Sequence, residues 1–305
     1  MNFYMHQSGK LWQTDIPKTT SLALALGCFD GVHIGHKKLL DEIINSEYTS
    51  AIWTFAEPLT KPYIEKVEER IKLCSAYGVK YAICESFEKF KNTEPEDFVA
   101  YLANDLNVKL IVCGPDFKFG KDRRGDTEML KAQCAAHGIK LTIVPPVTVD
   151  IDGETVKVSS TLIRELITGG KPDIAERLLG RPFKISGVVV SGNNLGRTIQ
   201  VPTLNQRLES GRIVPMRGVY VTSCTVNGKS YPAITNIGTR PSVAAGSHEE
   251  NCETHIIGQK LDLYGEIAAV NFHAYVRNEQ KFASLAELRE QIAKDIEFSN
   301  EYFKK

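Results

Sequence analysis

The sequence has no surplus of either charge. Lysine plus arginine number 37 and aspartate plus glutamate 37 among 305 residues, a formal net charge of zero. A chain that coats nucleic acid or lies on an anionic membrane carries a basic excess, so neither partner is expected. Long apolar runs are missing as well. No stretch reaches the ~18 apolar residues of a membrane span, and the opening MNFYMHQSGK lacks the apolar centre and cleavage site of a signal peptide. Cysteine is sparse, at 7 residues, odd in number and widely spaced, with no C-x-x-C and no cysteine–histidine metal cluster. These are expected to be reduced, mostly buried thiols of a cytoplasmic protein. There is no Walker-type loop, no internal repeat and no low-complexity segment.

What is present is an ordinary globular composition, 42% hydrophobic and 24% charged, at a length that suggests two domains. In the first half, short apolar runs alternate with helical patterns. Leu22 to Leu26 (LALAL), Ala51 to Phe55, Tyr81 to Cys84, Leu110 to Cys113 and Leu141 to Val144 read as strands. Residues 36–44, 66–77, 95–105 and 126–137 read as helices. This order predicts a Rossmann-like parallel sheet wrapped by helices, with ligands at the carboxyl ends of its strands. Two short helices follow, one capped by Ser159, Ser160 and Thr161 and ended by Gly169-Gly170, the next running from Pro172 to Gly180. Beyond Lys184 the pattern is mostly antiparallel β, with an Asn227-Gly228 hairpin turn and a final helix opened by Ser284-Leu285-Ala286-Glu287. The expected architecture is therefore α/β plus β. Residues 1–183 form the sheet domain, and 184–305 a small antiparallel barrel with a terminal helix.

Two stretches of the first domain suit phosphate. His33-Ile34-Gly35-His36 follows the first strand directly. Two imidazoles three apart at a helix start face one way, Gly35 lets a phosphate approach, and the helix N-terminus offers unpaired N–H groups. By itself the tetrapeptide fits a plain turn before a helix equally well. Ser159-Ser160-Thr161-Leu162-Ile163-Arg164 puts hydroxyls and an arginine at a second helix start, where Arg164 suits a leaving pyrophosphate. Alone, that stretch reads as an ordinary capped helix.

In the β domain, Gly192-Asn193-Asn194-Leu195-Gly196-Arg197 is a loop a phosphate could enter. It leads to Pro202-Thr203-Leu204-Asn205. Thr203 and Asn205 offer hard oxygens on one side of an extended segment, as a Mg²⁺ that keeps most of its water requires. A turn with a satisfied asparagine is the plain alternative. Glu253, on a predicted strand, reads by itself as a wet-face carboxylate.

Together these stretches resemble the prokaryotic bifunctional riboflavin kinase/FAD synthetase family. For the first half the resemblance rests on Gly27 to His36, Gly114 to Gly120 with Arg124-Gly125-Asp126, Ser159 to Arg164, and the downstream Ala175 to Gly180. For the second it rests on Gly196-Arg197, Pro202 to Asn205, Gly218-Val219-Tyr220, Asn236 to Pro241, Glu253-Thr254-His255, Leu263-Tyr264-Gly265 and Arg277 to Phe282. An aminoacyl-tRNA synthetase would share the H-I-G-H string, but no K-M-S-K-S-like loop or helical anticodon domain accompanies it here. The resemblance implies two ATP-dependent reactions. Riboflavin would be phosphorylated to FMN in the barrel, with Thr203 and Asn205 holding Mg²⁺ and Glu253 taking the hydroxyl proton. FMN would be adenylylated to FAD in the α/β half, with His33, His36 and Arg164 stabilising the growing charge. It further implies ATP contacts at Gly27, Phe29, Asp30, Gly35, Asp116, Ser159, Ser160 and Thr161, and at Gly192, Gly196 and Arg197. Arg240 and Arg277 would meet the flavin, and flavoproteins would be acceptors of FAD. Retention of a single activity, or flavin sensing without turnover, are the alternatives. Two places depart from the family pattern, Ala56-Glu57-Pro58-Leu59 after the second strand and Gln200-Val201 before Pro202.

Overall fold

A computed structural model describes residues 2–5, 16–57, 59, 62–190, 201–241, 248–259, 261 and 263–304. It divides into two compact units, Met1–Ser160 and Thr161–Lys305.

The first unit is built on LALAL. This strand, β2 (Leu22–Leu26), is buried along its whole length. Side chains alternate across a strand, so Leu22, Leu24 and Leu26 pack on one face with Phe98, Leu102 and Leu130, while Ala23 and Ala25 pack on the other with Leu40, Ile43 and Ile71. The small alanines let a helix lie close to the sheet. All pairings in this sheet are parallel, in the order β1-β4-β3-β2-β5-β6. The other strands are β1 (Asn2–Met5), β3 (Thr49–Phe55), β4 (Tyr81–Glu85), β5 (Val108–Cys113) and β6 (Lys140–Ile143). The helices are α1 (Ile34–Ile44), α2 (Val67–Ala76), α3 (Phe87–Phe90), α4 (Pro95–Asn104) and α5 (Thr127–Ala136). The strand order reverses beside β2, between β3 and β5, which makes the carboxyl end of β2 the topological switch point. Elements of this unit that escape the sequence pattern include β1, α3, and the hairpin of β7 (Thr148–Ile151) and β8 (Glu154–Lys157). The hairpin does have a local signal. Its turn is Asp152-Gly153, both at positive φ, 54° and 86°, a favoured two-residue hairpin dipeptide.

The second unit opens with α6 (Ser160–Thr168) and α7 (Pro172–Leu179), the latter ended by Gly180 in the left-handed region. A six-stranded antiparallel sheet follows, in the order β10-β13-β12-β11-β14-β9. Its strands are β9 (Phe183–Val188), β10 (Leu204–Arg207), β11 (Gly218–Val226), β12 (Lys229–Pro241), β13 (His248–Ile256) and β14 (Ile267–Arg277). The edges meet. Val190 bridges Asn205, and the Gln206 amide donates to the carbonyls of Gly187 and Ala268, closing a barrel. Buried hydroxyls inside are satisfied by one another, Thr222 to Thr235 and Thr235 to Thr254, each at 2.8 Å. Helix α8 (Leu285–Tyr302) has the expected Ser284 cap, accepting from the Glu287 N–H; the Glu287 carboxylate returns to the Ala283 N–H, one residue before the cap. Asn227 and Gly228 form the expected turn, at φ 49° and 74°. Among the described residues no helix is long and apolar enough to cross a membrane.

Helix α7 packs on β9 and β14, burying Ala175, Leu178 and Leu179 completely or nearly so. Two buried leucines contribute on the order of 3–6 kcal/mol, comparable with a domain's net stability. Residues 161–305 are therefore expected to fold alone, and residues 184–305 to be several kcal/mol less stable. Urea midpoints of the two fragments test this; equal midpoints would show that α7 does not support the barrel.

Candidate active sites

In the first unit an open cleft of about 1120 Å³ lies at the carboxyl ends of the strands. Gly27 and Cys28 line it from the end of β2, Phe55 and Glu57 from β3, Gly114 and Asp116 from β5, and Lys157 from β8. His33 and His36 face it as the sequence predicts, with a closer relation than spacing suggests. His33 is the N-cap of α1, and its Nδ1 accepts the His36 N–H at 3.2 Å. The two rings stack at 3.6 Å between centroids, 13° apart. Histidine is an unusual cap. Because Nδ1 accepts, a neutral His33 ring carries its proton on Nε2, which makes that atom the donor. A Cβ at residue 35 would lie 3.1 Å from the His33 ring, so Gly35 makes room for the cap.

The other expected contacts are distributed as follows. Gly27, Ser159 and Ser160 line the cleft; Phe29 is buried behind it, 5.2 Å from the His36 ring. The Asp30 carboxylate accepts from the Ile64 and Glu65 N–H groups, and its carbonyl from the Ser160 hydroxyl at 2.8 Å. Asp116 pairs with Lys157 at 2.8 Å, and that hydrogen bond holds its carboxyl below the usual range. Thr161 and Arg164 lie in the first turns of α6, on the second unit's side of the division. Sequence reading missed Lys157, whose signal was the Asp152-Gly153 turn, and the aromatic part of the cleft, including Trp53, Phe55, Phe87 and Phe117. At the first departure from the family pattern, Glu57 accepts the Phe87 N–H at 3.2 Å, so this carboxylate caps α3; Pro58 lies outside the described residues.

In the barrel, strand register assembles the second site. Asn205 of β10 faces Glu253 of β13, which faces Asn236 of β12, a row across three strands. Directly opposed residues share a face, so residues 48 and 17 positions apart in sequence come side by side. Asn251, which sequence reading did not single out, donates to Asn205 Oδ1 at 3.3 Å and to Glu253 Oε1 at 2.9 Å. Asn236 donates to Glu279 at 3.1 Å. Thr203 precedes β10 and borders a small pocket with Leu204, Ile256, Leu263 and Tyr264. The Pro202 carbonyl beside it is held by His255 Nδ1 at 2.9 Å. Gly192, Gly196 and Arg197 lie outside the described residues, as do Gln200 of the second departure and the side chain of Arg240. Arg277 gives Nε and Nη2 to the buried Asp295 of α8, at 2.8 to 3.2 Å.

Burial pushes the His255 ring below the ordinary histidine range, against the Pro202 carbonyl; burial likewise lowers His273, against Glu176. The unfolded chain, near 6.5, thus takes protons first, so stability rises with pH through that window and falls as pH drops below it. Thermal unfolding of residues 161–305 is expected at lower temperature at about pH 5.5 than at about pH 7.5, with a smaller difference in a His255→Asn/His273→Asn variant. An unchanged difference would remove the histidines as its cause.

The seven cysteines are all free. Six are buried and Cys28 is exposed; burial pushes Cys84 and Cys113 up to about 12, far from thiolate chemistry.

Known proteins match the chain in two parts. A family model described as FAD synthetase matches residues 15–162, and one described as riboflavin kinase matches residues 179–303. The bifunctional riboflavin kinase/FMN adenylyltransferase of Escherichia coli (strain K12) is 35% identical over 295 residues, covering 92% of each chain. That of Bacillus subtilis (strain 168) is 32% identical over 303 residues, again covering 92% of each. A crystal structure described as a macrolide-efflux protein from Streptococcus pneumoniae matches with a TM-score of 0.83 at 30% identity, over 94% of this chain and 96% of that one. Matched on both halves in order, this chain belongs to the bifunctional riboflavin kinase/FMN adenylyltransferase family, ATP-dependent enzymes that make FMN from riboflavin and FAD from FMN.

Proposed function

We propose that the two reactions run on separate residues of the chain, FAD formation within 1–183 and FMN formation within 184–305. The observation that carries this is the Asn205–Glu253–Asn236 row, drawn wholly from the barrel strands β10, β13 and β12 and sharing no residue with the lining of the histidine cleft.

For FMN formation, the ribityl hydroxyl oxygen attacks the γ-phosphorus of ATP, its proton passes to Glu253, and ADP leaves. Asn251 orients the Glu253 carboxylate. Thr203 and Asn205 would hold Mg²⁺, which supplies charge neutralisation on the phosphates when bound. The donor set fits: a hydroxyl and a buried amide oxygen, both hard, on a segment pinned by His255. Gly192, Gly196 and Arg197 would follow the nucleotide phosphates, and Arg240 and Arg277 the flavin.

For FAD formation, an FMN phosphate oxygen attacks the α-phosphorus of a second ATP and pyrophosphate leaves. The nucleophile is already an anion, so no general base is needed. His33 and His36 donate to the phosphate charge, and Arg164 takes the leaving pyrophosphate. Gly27, Phe29, Gly35, Asp116, Ser159, Ser160 and Thr161 complete the ATP site, with Asp30 serving it through the turn it anchors. The aromatic side of the cleft suits the flavin ring. Free thiols and zero net charge support a cytoplasmic enzyme without nucleic-acid or membrane partners, releasing FAD to flavoproteins. Incubation with riboflavin or with FMN, in Mg²⁺ and ATP, tests the division. A variant of either set of residues that lost both reactions equally would refute it.

A further inference from the structure

The turn between β2 and α1 has an unfavourable backbone. Phe29, Gly31 and Val32 sit at φ 51°, 81° and 37°. Glycine takes such angles freely, whereas phenylalanine and above all β-branched valine do so only when the surroundings impose them. The groups that impose them here do not line the cleft. Arg70, 3% exposed, donates through Nη1 to the Cys28 carbonyl and, at 3.3 Å, to the Thr54 hydroxyl; its Nη2 donates to the Phe55 carbonyl at 3.1 Å. Thr54, 1% exposed, also donates to the Cys28 carbonyl, at 3.0 Å. Asp30 fastens the middle of the turn to the Ile64 and Glu65 N–H groups that lead into α2, at 3.0 Å. One helix and its approach therefore hold the turn at two points.

We propose that Arg70 is a positioning residue for FAD formation: with Thr54 it fixes the Cys28 carbonyl, and so holds the strained turn in the one shape that presents His33, His36 and the α1 N-terminus to nucleotide phosphates. The proposal rests on the reading of His33 and His36 as phosphate ligands. The arginine suits this task because its fork serves acceptors at the ends of β2 and β3 at once, which a single ammonium does with less reach. A misplaced cradle weakens ATP binding and transition-state contacts together, while the flavin end of the cleft is left alone.

The test uses the full chain as wild type, Arg70→Met, Arg70→Lys, Thr54→Val and His36→Ala. Steady-state FAD formation is measured with ATP and FMN varied separately. Riboflavin phosphorylation in the same preparation serves as internal control. Tryptophan emission, which comes only from Trp12 and Trp53, both in the first unit, checks that unit's fold. Arg70→Met is expected to lower kcat about 10- to 100-fold and raise KM for ATP several-fold, with KM for FMN within about twofold. Arg70→Lys should recover part of both losses, and Thr54→Val should give a several-fold loss of the same kind. A purely structural role would lower the active fraction, cutting the rate with both KM values intact. The proposal is overturned by unchanged KM for ATP in both Arg70→Met and Thr54→Val, or by Arg70→Lys no better than Arg70→Met. If Arg70→Met does not fold, Arg70→Lys and Thr54→Val decide it by the same KM. Normal FAD formation in His36→Ala would instead remove the phosphate reading, and this proposal with it. Impairment in His36→Ala alone would sink only the role of Arg70.

Discussion

Glu253→Gln is expected to lower the turnover number for FMN formation by about 10² to 10⁴, the usual worth of a positioned base. Glutamine keeps the shape and the place in the strand. It can still accept the Asn251 hydrogen bond at Oε1, so the Asn205 neighbourhood stays ordered. What it cannot do is take the ribityl proton as that oxygen attacks the γ-phosphate. The loss falls in the transition state, so KM values for riboflavin and ATP should barely change. FAD formation from supplied FMN should be untouched. Were Glu253 only a wet-face carboxylate, the variant would phosphorylate riboflavin at nearly the normal rate, and that result would show the wrong base has been named. Asn251→Ala is the companion measurement. It leaves the carboxylate in place but removes its orienting donor, so a smaller loss in the same reaction is expected.

His36→Ala should have the complementary effect, blocking FAD formation by about 10²-fold or more, the cost of losing one donor to transition-state charge, and leaving riboflavin phosphorylation intact. The His36 side chain also stacks on His33, so its removal frees the His33 ring on one face. The hydrogen bond from the residue 36 N–H to His33 Nδ1 belongs to the backbone of α1 and survives the substitution. The helix start is therefore preserved, and the loss reports chemistry rather than unfolding. Measuring both reactions in one preparation separates the cases. Equal loss of both would refute two independent sites, and loss of neither would remove His36 from the phosphate site.

The two sites differ in how far sequence alone leads to them. His33 and His36 are three apart, and their chemistry lies within one helical turn and its preceding strand. Spacing, glycine and helix start are all local, and they place the pair correctly at the end of β2. Even there, the direction of the cap was hidden, because histidine is not a residue that announces itself as an N-cap. Thr203 and Asn205 were legible as oxygen donors two apart. Glu253 had only its family resemblance, since a glutamate on a strand has no meaning until its neighbours are known.

By itself, then, the sequence determined what is settled within a few residues. The alternating LALAL strand, the Asn227-Gly228 turn, the Ser284 cap and the change from α/β to β after Gly180 are set by side-chain period, turn geometry and capping, which act over a turn or a pleat. Only the tertiary structure decided what depends on register between distant strands. The Asn251 donor to Asn205 comes from 46 residues away, the Gln206 amide that closes the barrel reaches Ala268 across 62, and Arg70 reaches the Cys28 carbonyl across 42. A one-residue slip of β10 or β13 would turn its side chains to the other face, and Arg70 reaches Cys28 only because α2 packs beside the ends of β2 and β3. The reason is that a strand's hydrophobic pattern says which face is buried but not which partner lies opposite. That partner is chosen by the packing of the whole unit.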